Sequence, residues 1–142
     1  MVFKGGFEAL NNLSSEALKY ISPLPIKFDI GLSCYKSMMD MDMGHGSKPD
    51  EKLPKAQAIK DATMAFFILN NRQDGNLFFH MNGSYHSDNF EGIIWYLKQA
   101  KPELKIKIIT NVSQNEIEKL EDQYKGKASY VLVVPASMTK TR

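Results

Sequence analysis

Cysteine is almost absent from this sequence, which excludes protein classes that depend on several cysteines. Cys34 is the single cysteine among 142 residues. One thiol cannot form a disulfide within the chain, and it cannot supply a cysteine-only metal site. A disulfide-stabilised scaffold is therefore excluded.

Long apolar runs and a strong imbalance of charge are also missing. No run approaches the roughly 18 apolar residues that span a bilayer, and residues 1–8 lack an apolar segment of signal-peptide length. The net charge is +2, with lysines scattered along the chain. Because nucleic-acid surfaces carry clustered basic residues, we expect no transmembrane segment and no nucleic-acid partner.

Several enzyme motifs are absent as well. The sequence has no phosphate loop, dinucleotide fingerprint, nucleophile elbow or zinc-protease helix. Asp88 and Glu91 stand three residues apart before an apolar run, which is typical of a helix capping box rather than a catalytic pair. We therefore assign no catalytic residue. Whether the protein is an enzyme stays undecided, and we favour a protein without catalytic activity.

What is present suits one domain, because 43% of the residues are hydrophobic and 24% are charged. We predict a single domain over residues 1–142. A helical N-terminal segment covers 1–50 and ends in a flexible, glycine-containing loop at 44–50. An α/β core covers 53–135 and begins with a helix at 53–71 that has Pro54 in its first turn.

From residue 76 onward the pattern alternates strand, helix, strand, helix, strand. The predicted strands cover 76–80, 104–110 and 129–134, and the predicted helices cover 88–100 and 113–124. Connections of this length favour parallel pairing, so we predict an α/β fold with a small parallel sheet of about three strands packed with helices. Its open edges lead us to expect a homo-oligomer or a larger sheet of which this chain is part.

A loop with two chemically useful side chains follows the first predicted strand. Gly83, Tyr85 and His86 lie between the strand at 76–80 and the next helix. Ligands of open α/β sheets bind beyond the carboxyl ends of the strands, so His86 could face a ligand crevice. The alternative is a surface loop in which His86 caps the helix or faces water. His80, at the end of the strand, is more simply a packed residue.

Two further groups of polar side chains are open to a functional and a structural interpretation. Gln57 and Asp61 share one face of the helix at 53–71, which points either to the crevice or, as we favour, to solvent. The methionine-rich patch from Cys34 to His45 contains side chains that haem iron accepts, including Tyr35, and thioethers that suit copper(I). Methionine is also an ordinary core filler.

Several motifs, taken in order, resemble those of the ChaN-like haem-binding lipoproteins, which form a wider group with Tiki, TraB and erythromycin-esterase-like proteins. The likeness is closest to the versions found in Bacteroides-type bacteria. The motifs are Gln57-x-x-x-Asp61-x-x-Met64-Ala65, Asn82-Gly83-Ser-Tyr-His86, Gly92-Ile-Ile-Trp-Tyr-Leu97 and Met138-Thr-Lys-Thr141.

The resemblance implies a haem-binding protein of the bacterial cell envelope or periplasm that serves iron uptake. Gly83 and His86 match the family's Gly-x-x-His element at the ligand-facing end of its sheet. The family's other signature, an acidic residue and a histidine after an early strand, has no counterpart here. We therefore expect this chain to be the C-terminal half of a larger ChaN-like fold.

Three functional hypotheses follow. In the first, the chain binds haem, with His86, Tyr85 or Tyr35 on the iron and Phe79, Met81 and Met43 against the macrocycle. In the second, His86, Asp61 and Gln57 surround a divalent metal with a bound water, as in a hydrolase. In the third, the chain is a non-catalytic interaction domain. The candidate site residues are His86, Gly83, Tyr85, His80, Tyr35, His45, Gln57 and Asp61, of which His86 and Tyr35 are the candidate iron ligands.

Overall fold

The computed structural model describes residues 1–39 and 50–139. His45, Met43, Thr141 and all of the predicted loop except Asp50 lie outside these ranges. The α-helices are α1 (Val2–Gly5), α2 (Ser15–Leu18), α3 (Ser33–Met39), α4 (Lys52–Asn71) and α5 (Ile93–Ala100), and the strands are β1 (Ile109–Gln114) and β2 (Tyr130–Pro135). Short 3-10 helices cover Phe7–Asn12, Ser84–His86 and Asp122–Tyr124, and a turn with non-helical dihedral angles covers Asp88–Phe90.

Helix α4 is the central element of the fold, and its bounds confirm the helix predicted at 53–71. It packs against α1, α3 and α5. One face is buried at a spacing of three and four residues, the spacing of a single helical stripe. The members of that stripe are Pro54, Ala58, Asp61, Ala65 and Ile68. The stripe therefore carries one carboxylate among small or apolar side chains.

The strands pair in parallel, as predicted, but the sheet has two strands in the described part of the chain. The register runs from Ile109 opposite Tyr130 to Gln114 opposite Pro135. The strand predicted at 104–110 starts later, at Ile109. The strand predicted at 76–80 is wrong: this segment has no regular structure, and Leu77 and Phe79 are 93% and 74% exposed. An apolar sequence forms a strand only where another strand supplies hydrogen bonds.

The segment before α5 departs from the helix predicted at 88–100. Asn89 and Phe90 both have positive φ angles, of 59° and 60°, which a right-handed helix cannot contain. Helix α5 therefore begins at Ile93, with Gly92 at its N-cap and without a side-chain cap. The predicted capping box of Asp88 and Glu91 is wrong.

The helix predicted at 113–124 is also wrong, and a buried glutamine explains why. Gln114 is 3% exposed. Its amide donates to the carbonyl oxygens of Glu116 and Lys119, and its Oε1 accepts from the Glu121 backbone N–H at 3.2 Å. This side chain satisfies the backbone of a loop instead of a helix.

Two apolar clusters lie along α4, and Asp61 falls between them. One contains Cys34, Tyr35, Met38 and Ala58. The other contains Ala65 and Ile68 together with Ile93, Ile94, Leu97 and Ile108. In the described ranges, no helix combines the length and hydropathy needed to cross a membrane.

Candidate functional site

Asp61 is the centre of the candidate site. It is 1% exposed, and a carboxylate taken out of water needs hydrogen-bond partners. Its Oδ2 accepts from the Tyr35 hydroxyl at 2.7 Å, and its Oδ1 lies 2.5 Å from His86 Nδ1. An ionised carboxylate only accepts hydrogen bonds, so this contact assigns Nδ1 of His86 as the donor when Asp61 is ionised. We call these three residues the Tyr35–Asp61–His86 triad.

The triad joins three separate elements. Tyr35 comes from α3, Asp61 from the buried stripe of α4, and His86 from the 3-10 helix Ser84–His86. Tyr35 is 0% exposed and packs its ring against Phe28, with 5.6 Å between the ring centroids. Apolar packing therefore fixes the hydroxyl that faces Asp61.

Burial sets the electrostatics of the triad. Desolvation raises the pKa of the Asp61 carboxyl above its ordinary value, although the hydrogen bonds from Tyr35 and His86 act in the opposite direction. Desolvation and the neighbouring Asp61 carboxylate both raise the pKa of the Tyr35 hydroxyl. Tyr35 therefore stays protonated and serves as a donor.

The second ring nitrogen of His86 is the open end of the triad. The His86 side chain is 23% exposed. In residues 1–39 and 50–139 its only hydrogen bond is the one from Nδ1. A Cβ placed on Gly83 would lie 4.0 Å from His86 Cδ2, the ring carbon bonded to Nε2. Gly83 therefore lies in contact range of the ring edge that carries Nε2.

Gly92 lies against the His86 backbone and the Asp61 carboxylate, and it was not among the candidate site residues. Its φ of 56° and ψ of −120° suit glycine. An added Cβ would lie 2.5 Å from the His86 carbonyl oxygen and 3.3 Å from Asp61 Oδ2. The sequence offered two signals. Gly92 opens the motif Gly92-Ile-Ile-Trp-Tyr-Leu97, and it stands directly before an apolar run, where a polar cap is usual.

Glu91 ties the His86 loop to the start of α3. Its Oε2 accepts from the Ser33 hydroxyl at 2.8 Å and from the Cys34 N–H at 2.7 Å. Partial burial acts to raise the pKa of Glu91, but the hydrogen bonds from Cys34 and Ser33 hold it below its ordinary value. Burial, with the Glu91 charge second, raises the pKa of the Cys34 thiol to about 12.

The other residues selected from the sequence lie outside the triad. The Tyr85 and Ser37 hydroxyls are 2.5 Å apart, at the surface. His80 is exposed. Gln57 Oε1 accepts from Lys60 Nζ at 3.3 Å rather than from the triad. The expectation that Asp61 faces solvent is wrong, because it lies in the buried stripe of α4.

The crevice predicted at the tip of a strand is not found at His86. Within residues 1–39 and 50–81 no strand precedes the loop. His86 lines neither the cavity of about 230 Å³ nor the cavity of about 440 Å³ beside α4. Among the residues that the structure places, no group of three or more histidine, cysteine or acidic side chains is arranged to hold a metal ion. His86 is therefore a partly exposed histidine whose Nε2 has no hydrogen-bond partner among the described residues.

Comparison with known families identifies the chain. Residues 1–97 match the family described as "Haem-binding uptake, Tiki superfamily, ChaN". The chain belongs to this ChaN family. The match covers all three triad residues together with Gly83, Glu91 and Gly92. Comparisons with curated proteins and with solved structures give no match.

Proposed function

We propose that this ChaN-family chain binds haem through Nε2 of His86. The observation that carries the proposal is the hydrogen bond between His86 Nδ1 and the buried Asp61 carboxylate. Histidines that bind metals usually donate their other N–H to a carboxylate, which fixes the tautomer and raises the basicity of the coordinating nitrogen. Imidazole nitrogen is a common axial ligand of haem iron.

The chemistry of the residues around His86 fits this cofactor. Exposed apolar side chains flank the triad in the chain, since Phe79, Met81 and Tyr85 are 74%, 82% and 41% exposed. Asn82 Nδ2 donates to Ser87 Oγ at 3.0 Å, which ties the start of the loop to its end around His86. In the bound state the haem would supply iron chemistry, and the chain's own residues would hold it and exclude water from one face.

Tyr35 has a supporting role in this proposal instead of the iron-ligand role considered from the sequence. Its hydroxyl donates to Asp61 inside an apolar cluster, so it helps Asp61 to orient His86. Tyr85 would have to leave Ser37 to reach an iron atom.

The proposal extends to a role in haem or iron uptake at the bacterial cell envelope, as a lipoprotein of the Bacteroides type. The family description supports uptake. We further propose that the chain packs against more strands or a second copy, as the C-terminal half of a ChaN-like fold would. The exposed Leu77, Phe79 and Met81 support this, because they need cover from water. Light scattering tests it, and a clean monomer would contradict the second-copy version.

A hemin titration followed at the Soret band tests His86 directly. We expect saturable binding by the wild type, loss of the shifted band in His86→Ala, and unchanged binding in the matched control His80→Ala. Asp61→Asn should weaken binding by about 10- to 100-fold, because an amide no longer fixes the proton on Nδ1. Circular dichroism verifies that each variant is folded. The assignment fails if His86→Ala binds hemin like the wild type, or if His80→Ala loses binding instead.

The hydrogen-bonded pair of His86 and Asp61 also supports a second candidate function, that of a divalent-metal hydrolase. A histidine oriented by a carboxylate can hold a metal ion as well as an iron porphyrin. Metal analysis of the purified chain distinguishes the two. Stoichiometric zinc or manganese that is lost in His86→Ala would favour the hydrolase, and a metal-free chain that binds hemin would favour haem.

A further inference from the structure

A short segment that precedes α3 in the chain forms one wall of a groove whose lining does not include His86. Residues 22–27, which we call the strap, cross α4 and α5 and are attached at both ends. The Ser22 N–H donates to Thr63 Oγ1 at 3.1 Å, and the Tyr96 hydroxyl donates to the Lys27 carbonyl oxygen at 2.6 Å. The strap is therefore held on the helices by defined tertiary hydrogen bonds.

The space between the strap and the helices is apolar. A cavity of about 230 Å³ lies there. A second cavity, of about 440 Å³, adjoins it and shares Ser22, Pro23 and Phe66 as lining residues. The apolar residues that line the first cavity include Ile26, Ala62, Ala65, Phe66, Leu69 and Ala100. Together the two cavities fall within the size range of small-molecule sites, about 300–1,000 Å³.

The charges at this groove have one sign. The linings of the two cavities contain Lys27 and Lys19 and no carboxylate side chain. Lys19 pairs with Glu16 at 2.7 Å, whereas Lys27 forms no ion pair with any residue in the described ranges. An apolar trough with one cationic residue, not ion-paired in the described ranges, in its lining is complementary to an apolar molecule with a single anionic end.

We propose that the groove under the strap binds a long-chain monocarboxylate. The hydrocarbon tail lies against Phe66, Leu69 and the alanines of α4, and the carboxylate lies at the Lys27 ammonium. Ala62 and Ala65 matter because larger side chains on this face of α4 would fill the trough. The lining contains none of the triad residues, so this proposal does not depend on the haem proposal.

Fluorescence titration with dansyl-labelled undecanoic acid tests the groove. We expect saturable binding, with roughly tenfold weaker affinity in Lys27→Glu, a change equivalent to about 1.4 kcal/mol. Ala100→Phe should weaken binding similarly by filling the trough. Lys107→Glu, the same charge change at an exposed position outside the lining, should bind like the wild type. The methyl ester of the probe should bind more weakly than the acid.

Further measurements test whether the probe and hemin bind independently. His86→Ala, and wild-type protein saturated with hemin, should both bind the probe normally. The proposal is overturned if Lys27→Glu and Lys107→Glu behave alike, if the ester binds as well as the acid, or if hemin displaces the probe. Because the haem test depends on His86 and this one on Lys27, failure of either leaves the other intact.

Discussion

Replacing Gly92 with alanine tests the backbone geometry that holds His86 against Asp61. At Gly92 φ is 56° and ψ is −120°. A new Cβ would lie 2.5 Å from the His86 carbonyl oxygen, 2.9 Å from its carbonyl carbon and 3.3 Å from Asp61 Oδ2. The first two of these neighbours are backbone atoms, so they can retreat only if the His86 loop moves.

The expected loss of stability has two parts. A side chain at positive φ costs about 1–2 kcal/mol. Displacing the His86 backbone adds strain of about the same size, since disfavoured backbone conformations cost roughly 1–3 kcal/mol each. We therefore expect Gly92→Ala to lower the free energy of unfolding by about 3 kcal/mol, within the range of severe single substitutions.

Gly126→Ala is the matched control. Gly126 also has a positive φ, of 80°, but a Cβ there meets no atom within 4 Å. It should therefore lose only the conformational part, about 1–2 kcal/mol. Thermal unfolding by circular dichroism compares the two, with a shift of about 4 °C expected for each kcal/mol in a chain of this size. Hemin affinity should fall in Gly92→Ala and stay unchanged in Gly126→Ala.

Equal melting temperatures for the two variants would refute this reasoning, because they would show that the contact with His86 adds nothing to the backbone penalty. Normal hemin binding by a destabilised Gly92→Ala would refute the prediction that this variant binds hemin more weakly. It would mean that the position of His86 does not depend on the close approach of Gly92.

Three further changes probe the surroundings of the triad. Glu91→Gln should lower stability by about 1–2 kcal/mol near neutral pH. Because the pKa of Glu91 is held below its ordinary 4.5, the difference from wild type in thermal melts should disappear as pH falls through that lowered pKa; a constant difference would argue against it. Tyr35→Phe removes a donor from the buried Asp61 carboxylate and should cost about 1.5–3 kcal/mol in urea unfolding. That loss should grow as Asp61 ionises with rising pH, and a loss independent of pH would contradict it. Cys34, with a thiol pKa of about 12, should react with a disulfide reagent only as fast as the chain unfolds, so rapid native labelling would count against its burial.

Local patterns predicted the elements that depend on local signals. The helix α4 was predicted from Pro54 and its run of good helix formers, and β2 from β-branched residues before Pro135. The parallel pairing of the strands was predicted from the lengths of the connections. These features follow from propensity and chain geometry, which are visible in a window of a few residues.

The wrong predictions depend on specific side-chain and strand contacts that local propensity does not show. Gln114 uses its buried amide to bind loop carbonyls, and this overrides an amphipathic pattern at 113–124. Glu91 was predicted to cap its own helix, but it instead binds the N-terminus of α3, 57 residues away at Cys34. The segment 76–80 is apolar enough for a strand yet makes no strand pairing in the described structure.

The candidate site was predicted in composition but not in arrangement. His86, Asp61 and Tyr35 were all selected, yet nothing in their spacing indicated that one carboxylate would join the other two. A better signal was available at Asp61. It continues the spacing of Ala58, Ala65 and Ile68, and an acid in the middle of an apolar stripe is buried and therefore needs partners.

The sequence distances within the triad have a consequence for the behaviour of the whole chain. Tyr35 and His86 lie 26 and 25 residues from Asp61, so no unfolded chain presents this arrangement. Haem bound at His86, as we propose, would require the native form, and at a hundred times its dissociation constant it would add about 2.7 kcal/mol of stability. Chains with bound haem should therefore resist heat and proteases longer than chains without it. Weakening the hydrogen bonds of Glu91 to the start of α3 should also weaken haem binding.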